Sequence, residues 1–225
     1  MASELTWVAV VAHELRAPLA TMLLWERVLR DPAAGEERHA QALQAIRESI
    51  AAQYRIVEDL VLLSRAGSGR LDIEPGRVAL PPLVAAAAAS AMLAAEPRRI
   101  TVTAKIGDDA CTVRGDAQRI RQIVDNVLAN SLKFCRDGGT VSVVVRSDDG
   151  RARVEITDDG DGIAPERLPH IFEPFAGSPG SLGLGLAIAR ALALLHAGAL
   201  HARSEGVGRG ATFTLELPLV TSHPD

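Results

Sequence analysis

The sequence predicts a multi-domain chain, an all-α helical hairpin followed by an α+β two-layer sandwich. Three observations carry that expectation. Apolar residues recur at heptad spacing through residues 3–65. Gly67-Ser68-Gly69 then breaks the pattern. Beyond it, strand-like and helix-like stretches alternate.

Two long helices account for the first part. Val8, Val11, Leu15, Met22, Trp25 and Leu29 form one stripe, and Leu43, Ile46, Ile50, Val57 and Leu60 a second, with Gln53 as its polar interruption. Asp31-Pro32-Ala33-Ala34-Gly35 between them is a breaker-rich turn. One hairpin covers only half of such a seam, so pairing with a second copy into a four-helix bundle is expected. Residues 1–66 are the expected helical domain, 67–77 the linker, 78–219 the sandwich and 220–225 a tail. Within the sandwich, strands are expected at 100–106, 140–147, 151–157 and 211–218, and helices at 83–93, 116–135 and 183–196. Asp148-Asp149-Gly150 marks a hairpin turn. The helices should lie on one face of a mixed sheet.

Composition narrows the function classes. Of the 225 residues 48% are hydrophobic and 23% charged, an ordinary globular balance, and the net charge of −4 offers no basic footprint for nucleic acid. Two isolated cysteines, Cys111 and Cys135, suggest neither a disulfide framework nor a zinc site, which fits a reducing cytoplasmic setting. The longest apolar run, 78–95, is Ala-rich, carries Pro81 and Pro82, and falls short of roughly 20 strongly apolar residues, so no transmembrane segment is expected. A membrane would enter only through a sensor region outside this chain.

Chemistry concentrates in the second part. Asn126, Asn130 and Lys133 differ by four and three, so they stack on one helical face beside an apolar stripe of Ile120, Ile123, Val124, Val127 and Phe134. That polar stripe suits either a solvated face or a pocket floor, where an amide oxygen ligates Mg²⁺ and a lysine meets phosphate. Asp158-Asp159-Gly160-Asp161-Gly162 follows a strand. A carboxylate there, with glycines admitting a close ligand, suits an adenine amino group, although such a string is often only a turn. Ca²⁺ spacing fails, because no Glu closes the loop and no helix precedes it. Gly183-Leu184-Gly185-Leu186 opens a helix whose amides and dipole favour phosphate. Gly208-Arg209-Gly210 is equally consistent with a hairpin bend.

Together and in this order these segments resemble the N, G1, F, G2 and G3 boxes of the histidine-kinase ATPase domain, of the Bergerat fold shared with Hsp90, MutL and type II topoisomerases. The F box is matched by Ile171-Phe172-Glu173-Pro174-Phe175, and the likeness covers about residues 78–219. Val11-Ala12-His13-Glu14-Leu15-Arg16-Ala17-Pro18-Leu19 resembles the H box of the dimerisation and phosphoacceptor domain. With Val8 and Leu15 at a positions, His13 falls at f and faces away from the seam. Pro18 is expected to bend the helix just beyond it.

The resemblance implies a histidine protein kinase with ATP and Mg²⁺ as cofactors. His13 is the phosphoacceptor, Glu14 the base or orienter of its imidazole, and Asn130 the Mg²⁺ ligand. Asn126, Lys133, Asp158, Gly160, Gly162, Phe175, Gly183, Leu184 and Gly185 complete the ATP site. The implied partners are a second copy of the chain and a response-regulator receiver domain. A Hsp90- or MutL-like clamp fits poorly, because Asn126 stands where those proteins carry a water-activating glutamate. Three departures modify the expectation. Ala17 replaces the Thr or Asn that positions a hydrolytic water, which implies weak phosphatase activity. The lid between Phe175 and Gly183 is short and uncharged. Ser181-Leu182 replaces the usual Gly-Thr ahead of the glycine-rich helix start.

Overall fold

The computed structural model describes residues 2–107, 111–177 and 182–220, with side chains from residue 9 onward in the first helix. The Val8 side chain and lid positions 178–181 therefore lie outside the described residues.

Helix α1 spans Ala2–Arg30 and α2 spans Gly35–Gly67. Between them Asp31 Oδ1 accepts from the Ala33 amide at 2.9 Å, and Gly35 takes φ +75°, so the turn sits where its breaker residues are. Helix α1 continues through Pro18, and Thr21 Oγ1 donates to the Ala17 carbonyl at 3.2 Å. Gln53, the polar break in the second stripe, reaches across and donates to the Leu15 carbonyl at 3.2 Å. Pairing leaves half of the seam bare: Leu19, Leu23, Leu24, Leu43, Ile50, Tyr54, Val57 and Val61 are all exposed.

After α2 come β1 (Gly76–Ala79), α3 (Leu80–Ala95), β2 (Thr101–Ile106), β3 (Thr112–Gly115) and α4 (Ala117–Phe134). The hairpin β4 (Thr140–Asp148) and β5 (Arg151–Asp158) follows, then α5 (Gly185–Leu195), β6 (Ala199–Arg203) and β7 (Ala211–Pro218). The five-stranded sheet runs β2-β4-β5-β7-β6, with β2 parallel to β4 and the other pairs antiparallel. Strands β1 and β3 make a separate antiparallel pair. Helices α3, α4 and α5 cover the sheet, as expected for a two-layer sandwich. Strands β1, β3 and β6 were not expected. At four or five residues each they show too little alternation to be read as strands.

Helix α3 is the apolar run of the sequence. Leu80–Arg98, with mean hydropathy 1.3, is long and apolar enough to cross a membrane by length and composition. Here it is a core helix instead, with Leu80, Val84, Ala87, Ala88, Ala91 and Ala95 buried and packing on α4 and β2.

Helix α4 is held at both ends. Asp116 caps it, accepting at Oδ1 from the Gln118 and Arg119 amides at 2.9 and 3.1 Å. Burial pushes the Asp116 carboxyl up, but the Arg119, Glu74 and Gln118 amides outweigh it and hold the group below its ordinary range. At the far end Arg98 donates to the Leu132 and Cys135 carbonyls, both at 2.6 Å, satisfying orphan acceptors with a cation. His196, buried, ties α5 to this helix start. Its Nε2 accepts from the Asp116 amide at 3.0 Å, so the ring proton sits on Nδ1, 2.7 Å from the Leu192 carbonyl. Cys111 and Cys135 are buried thiols outside any disulfide, and burial pushes Cys135 up to about 11, leaving little reactive thiolate.

Candidate functional site

Strand periodicity explains why a carboxylate is buried at one end of the cavity. Along β5, Ala152, Val154 and Ile156 face the core, and the next residue of that phase is Asp158, only 5% exposed. Its Oδ1 accepts from the Gly160 amide at 3.1 Å, turning the chain out of the strand. Burial pushes the Asp158 carboxyl above its ordinary range, only partly offset by the Gly160 amide, the Ser131 hydroxyl and the Ala211 amide. A buried acceptor facing a cavity is what an exocyclic amine would meet.

Helix periodicity places the other wall. Ile120, Ile123, Val124, Val127, Leu128 and Ser131 of α4 are buried in the core. The neighbouring stripe of Asn126, Asn130 and Lys133 therefore borders the cavity, as the spacing predicts. Asn126 Nδ2 donates to the Gly185 carbonyl at 3.0 Å, joining α4 to the glycine-rich start of α5. Lys133 Nζ lies 5.1 Å from the Phe134 ring centroid, a cation–π contact that steadies its stem. Helix α5 begins at Gly185 rather than 183, because Gly183 takes φ +64° and its missing Cβ would fall 2.1 Å from the Gly177 nitrogen.

The cavity measures about 690 Å³. Asn126, Asn130, Lys133, Asp158, Gly162, Gly183, Leu184 and Gly185 all line it, and so does Glu14 from the hairpin. Gly160 and Phe175 do not line it. Gly160 packs under the end of α4, where a Cβ would meet the Phe134 carbonyl oxygen at 2.2 Å. Phe175 rests against the hydrophobic core in a left-handed conformation, φ +66°. His13 is exposed on α1, outside the wall that Glu14 joins. Among the described residues no three or more His, Cys, Asp or Glu side chains gather as a metal cage.

Sequence reasoning missed the contribution of α2. Ala52, Arg55, Ile56 and Asp59 also line the cavity. Their i, i+3, i+4, i+7 spacing was the available signal, masked by the heptad stripe on the same helix. Burial, then repulsion from Glu58, pushes Asp59 up to about 6, with Arg55 opposing. Because the folded proton affinity exceeds the unfolded one, the penalty is absent below about pH 4, grows from there to pH 6 and is complete above it. Asp59→Asn should therefore stabilise the chain at pH 7.5 by about 1 kcal/mol, the linkage figure being reduced for a half-exposed group. Melting temperatures at pH 4.5 and 7.5 check this; an equal gain at both would refute it.

Comparison with known proteins agrees with this geometry. Residues 3–69 match the "His Kinase A (phospho-acceptor) domain" model. Residues 115–221 match "Histidine kinase-, DNA gyrase B-, and HSP90-like ATPase". The chain is 30% identical to the sensor protein DivL of Caulobacter vibrioides over 94% of its length and 28% of that protein's. It is also 30% identical to the alginate biosynthesis sensor protein KinB of Pseudomonas aeruginosa, over 92% of this chain and 36% of that one. It thus spans about a third of these relatives. Among solved structures, full-length ShkA in complex with AMPPNP superposes with a TM-score of 0.74 at 28% identity, over 95% of this chain and 46% of that one. With a phosphoacceptor-type hairpin joined to an ATPase sandwich, the chain belongs to the histidine kinase family, of which it is a catalytic core.

Proposed function

We propose that this chain autophosphorylates His13 from Mg-ATP and passes the phosphoryl group to an aspartate of a response-regulator receiver domain. The observation that carries this reading is a single cavity with the buried Asp158 carboxylate in one wall, Asn130 and Lys133 along α4, and Glu14 from the acceptor helix. Asp158 accepts the adenine amine. Asn126 and Lys133, with the α5 amides, orient and neutralise the phosphate chain. Asn130 holds Mg²⁺, which when bound spreads charge from the β- and γ-phosphates. Glu14 orients the His13 imidazole and takes the proton from its second nitrogen. The division of labour follows residues 1–66 for dimerisation and acceptance, 67–77 as linker, 78–219 for ATP binding and 220–225 as tail. The exposed stripe of Ile50, Tyr54, Val57 and Val61 supports homodimerisation, since a soluble helix rarely leaves such a row uncovered.

Incubation with γ-labelled ATP and Mg²⁺ tests the reading. An acid-labile, alkali-stable label that disappears in His13→Ala is expected; an acid-stable label, or one surviving that substitution, overturns it. Phosphatase activity toward the regulator is expected to be weak, because Ala17 is exposed on α1 one turn after His13 and carries no group to hold a water. Ala17→Thr should raise regulator dephosphorylation at least about tenfold, the scale of positioning one nucleophile. Efficient dephosphorylation by the unaltered chain would contradict this.

A further inference from the structure

We infer that phosphoryl transfer runs within one chain of the dimer, from each ATPase domain to the histidine of its own hairpin. The inference rests on the function proposed above and adds which copy is the acceptor. Glu14 lines the cavity that Asn130 and Lys133 of the same chain line. His13 precedes it on the helix, with Cα atoms about 3.8 Å apart. The placement is fixed from two sides. Gln53 of α2 donates to the Leu15 carbonyl, holding the acceptor turn of α1 against the stretch of α2 that borders the cavity. Helix α2 in turn packs on α5, whose first residue, Gly185, lines the same cavity.

The second copy is directed elsewhere. At 100° per residue, the cavity-facing residues of α2 (Ala52, Arg55, Ile56, Asp59) centre about 180° around the helix from its exposed apolar row of Ile50, Tyr54, Val57 and Val61. A partner seated on that row has the width of α2, about 10 Å, between itself and the cavity. The chain's own acceptor turn has no such barrier. In the step itself the bond from the γ-phosphorus to the bridging oxygen breaks and a phosphorus–nitrogen bond to His13 forms. ADP leaves with the electron pair, and the proton of the other ring nitrogen passes to Glu14.

Mixed dimers isolated through two different tags decide the matter. The first pairs the unaltered chain with a His13→Ala, Asn130→Ala double variant. The second pairs His13→Ala with Asn130→Ala. Transfer within a chain labels the unaltered subunit of the first and leaves the second silent. Label on the Asn130→Ala subunit of the second, or a silent first dimer beside a labelled homodimer of unaltered chains, overturns the inference. If that homodimer itself takes no label, the proposed function falls instead. As an independent measure, the labelling rate per chain should stay constant on dilution through the dimer dissociation range. A fall with dilution contradicts transfer within one chain.

Discussion

Gly162→Ala should cost the chain about 3–5 kcal/mol, from left-handed strain plus overpacking against backbone, and abolish nucleotide binding. Gly162 has φ +66°, and a Cβ built there lies 2.1 Å from the Gly206 carbonyl oxygen, a contact that no rotamer relieves. Gly206 is anchored in turn by its amide contact to Ser204 Oγ, and Ser204 Oγ also accepts from the Ile163 amide at 2.9 Å. The clash must therefore move the loop after β5 away from the loop before β7, and Gly162 lines the cavity. Gly150→Ala is the matched control. It has φ +73° with nothing within 4 Å, so only the conformational term of about 1 kcal/mol applies. Denaturant unfolding and calorimetric ATP titration of both variants check this; equal losses would mean the loop crossing yields freely.

That contrast also explains what was legible in the sequence. Residue types and spacings announced which side chains share a cavity: Asn126, Asn130 and Lys133 needed only the helical period, and Asp158 only the strand period, to line the same one. The reason for the glycines was legible only in part. Clearance for a ligand was expected, but Gly160, Gly162 and Gly183 each make room first for the chain's own backbone, at Phe134, Gly206 and Gly177. Gly210, readable as a mere hairpin bend, is similar: its Cβ would meet the Asp158 carbonyl oxygen at 2.0 Å. Gly185 is the exception, with nothing nearer than Asn126 at 3.8 Å. Such crossings join residues far apart in sequence, and no local pattern encodes them. The α2 wall was hidden for a related reason. Arg55 and Asp59 carry no motif, and their relevance comes from how the hairpin docks.

Asp158→Asn should lower ATP affinity between about tenfold and a hundredfold, the worth of a hydrogen bond to a charged group, while leaving the fold as stable or more so. The two effects have one cause. Asp158 is buried at the end of β5, and burial holds its carboxyl above the ordinary range, so ionisation is a net cost to folding that grows as pH rises above the ordinary carboxylate range and is complete above the folded value. An amide of the same shape carries no such cost and keeps an oxygen for the Gly160 amide. What it loses is a charged acceptor toward the cavity, replaced by an amide that can also present a donor. Adenine offers an amine at that edge and guanine a carbonyl, so the substitution should also shrink the preference for ATP over GTP. Titration with both nucleotides, together with melting temperatures at pH 7.5, separates the outcomes. Loss of affinity for both nucleotides with a lowered melting temperature would assign Asp158 to holding the loop. Selective loss for ATP in a chain that melts no lower is the result expected of a carboxylate that reads the base.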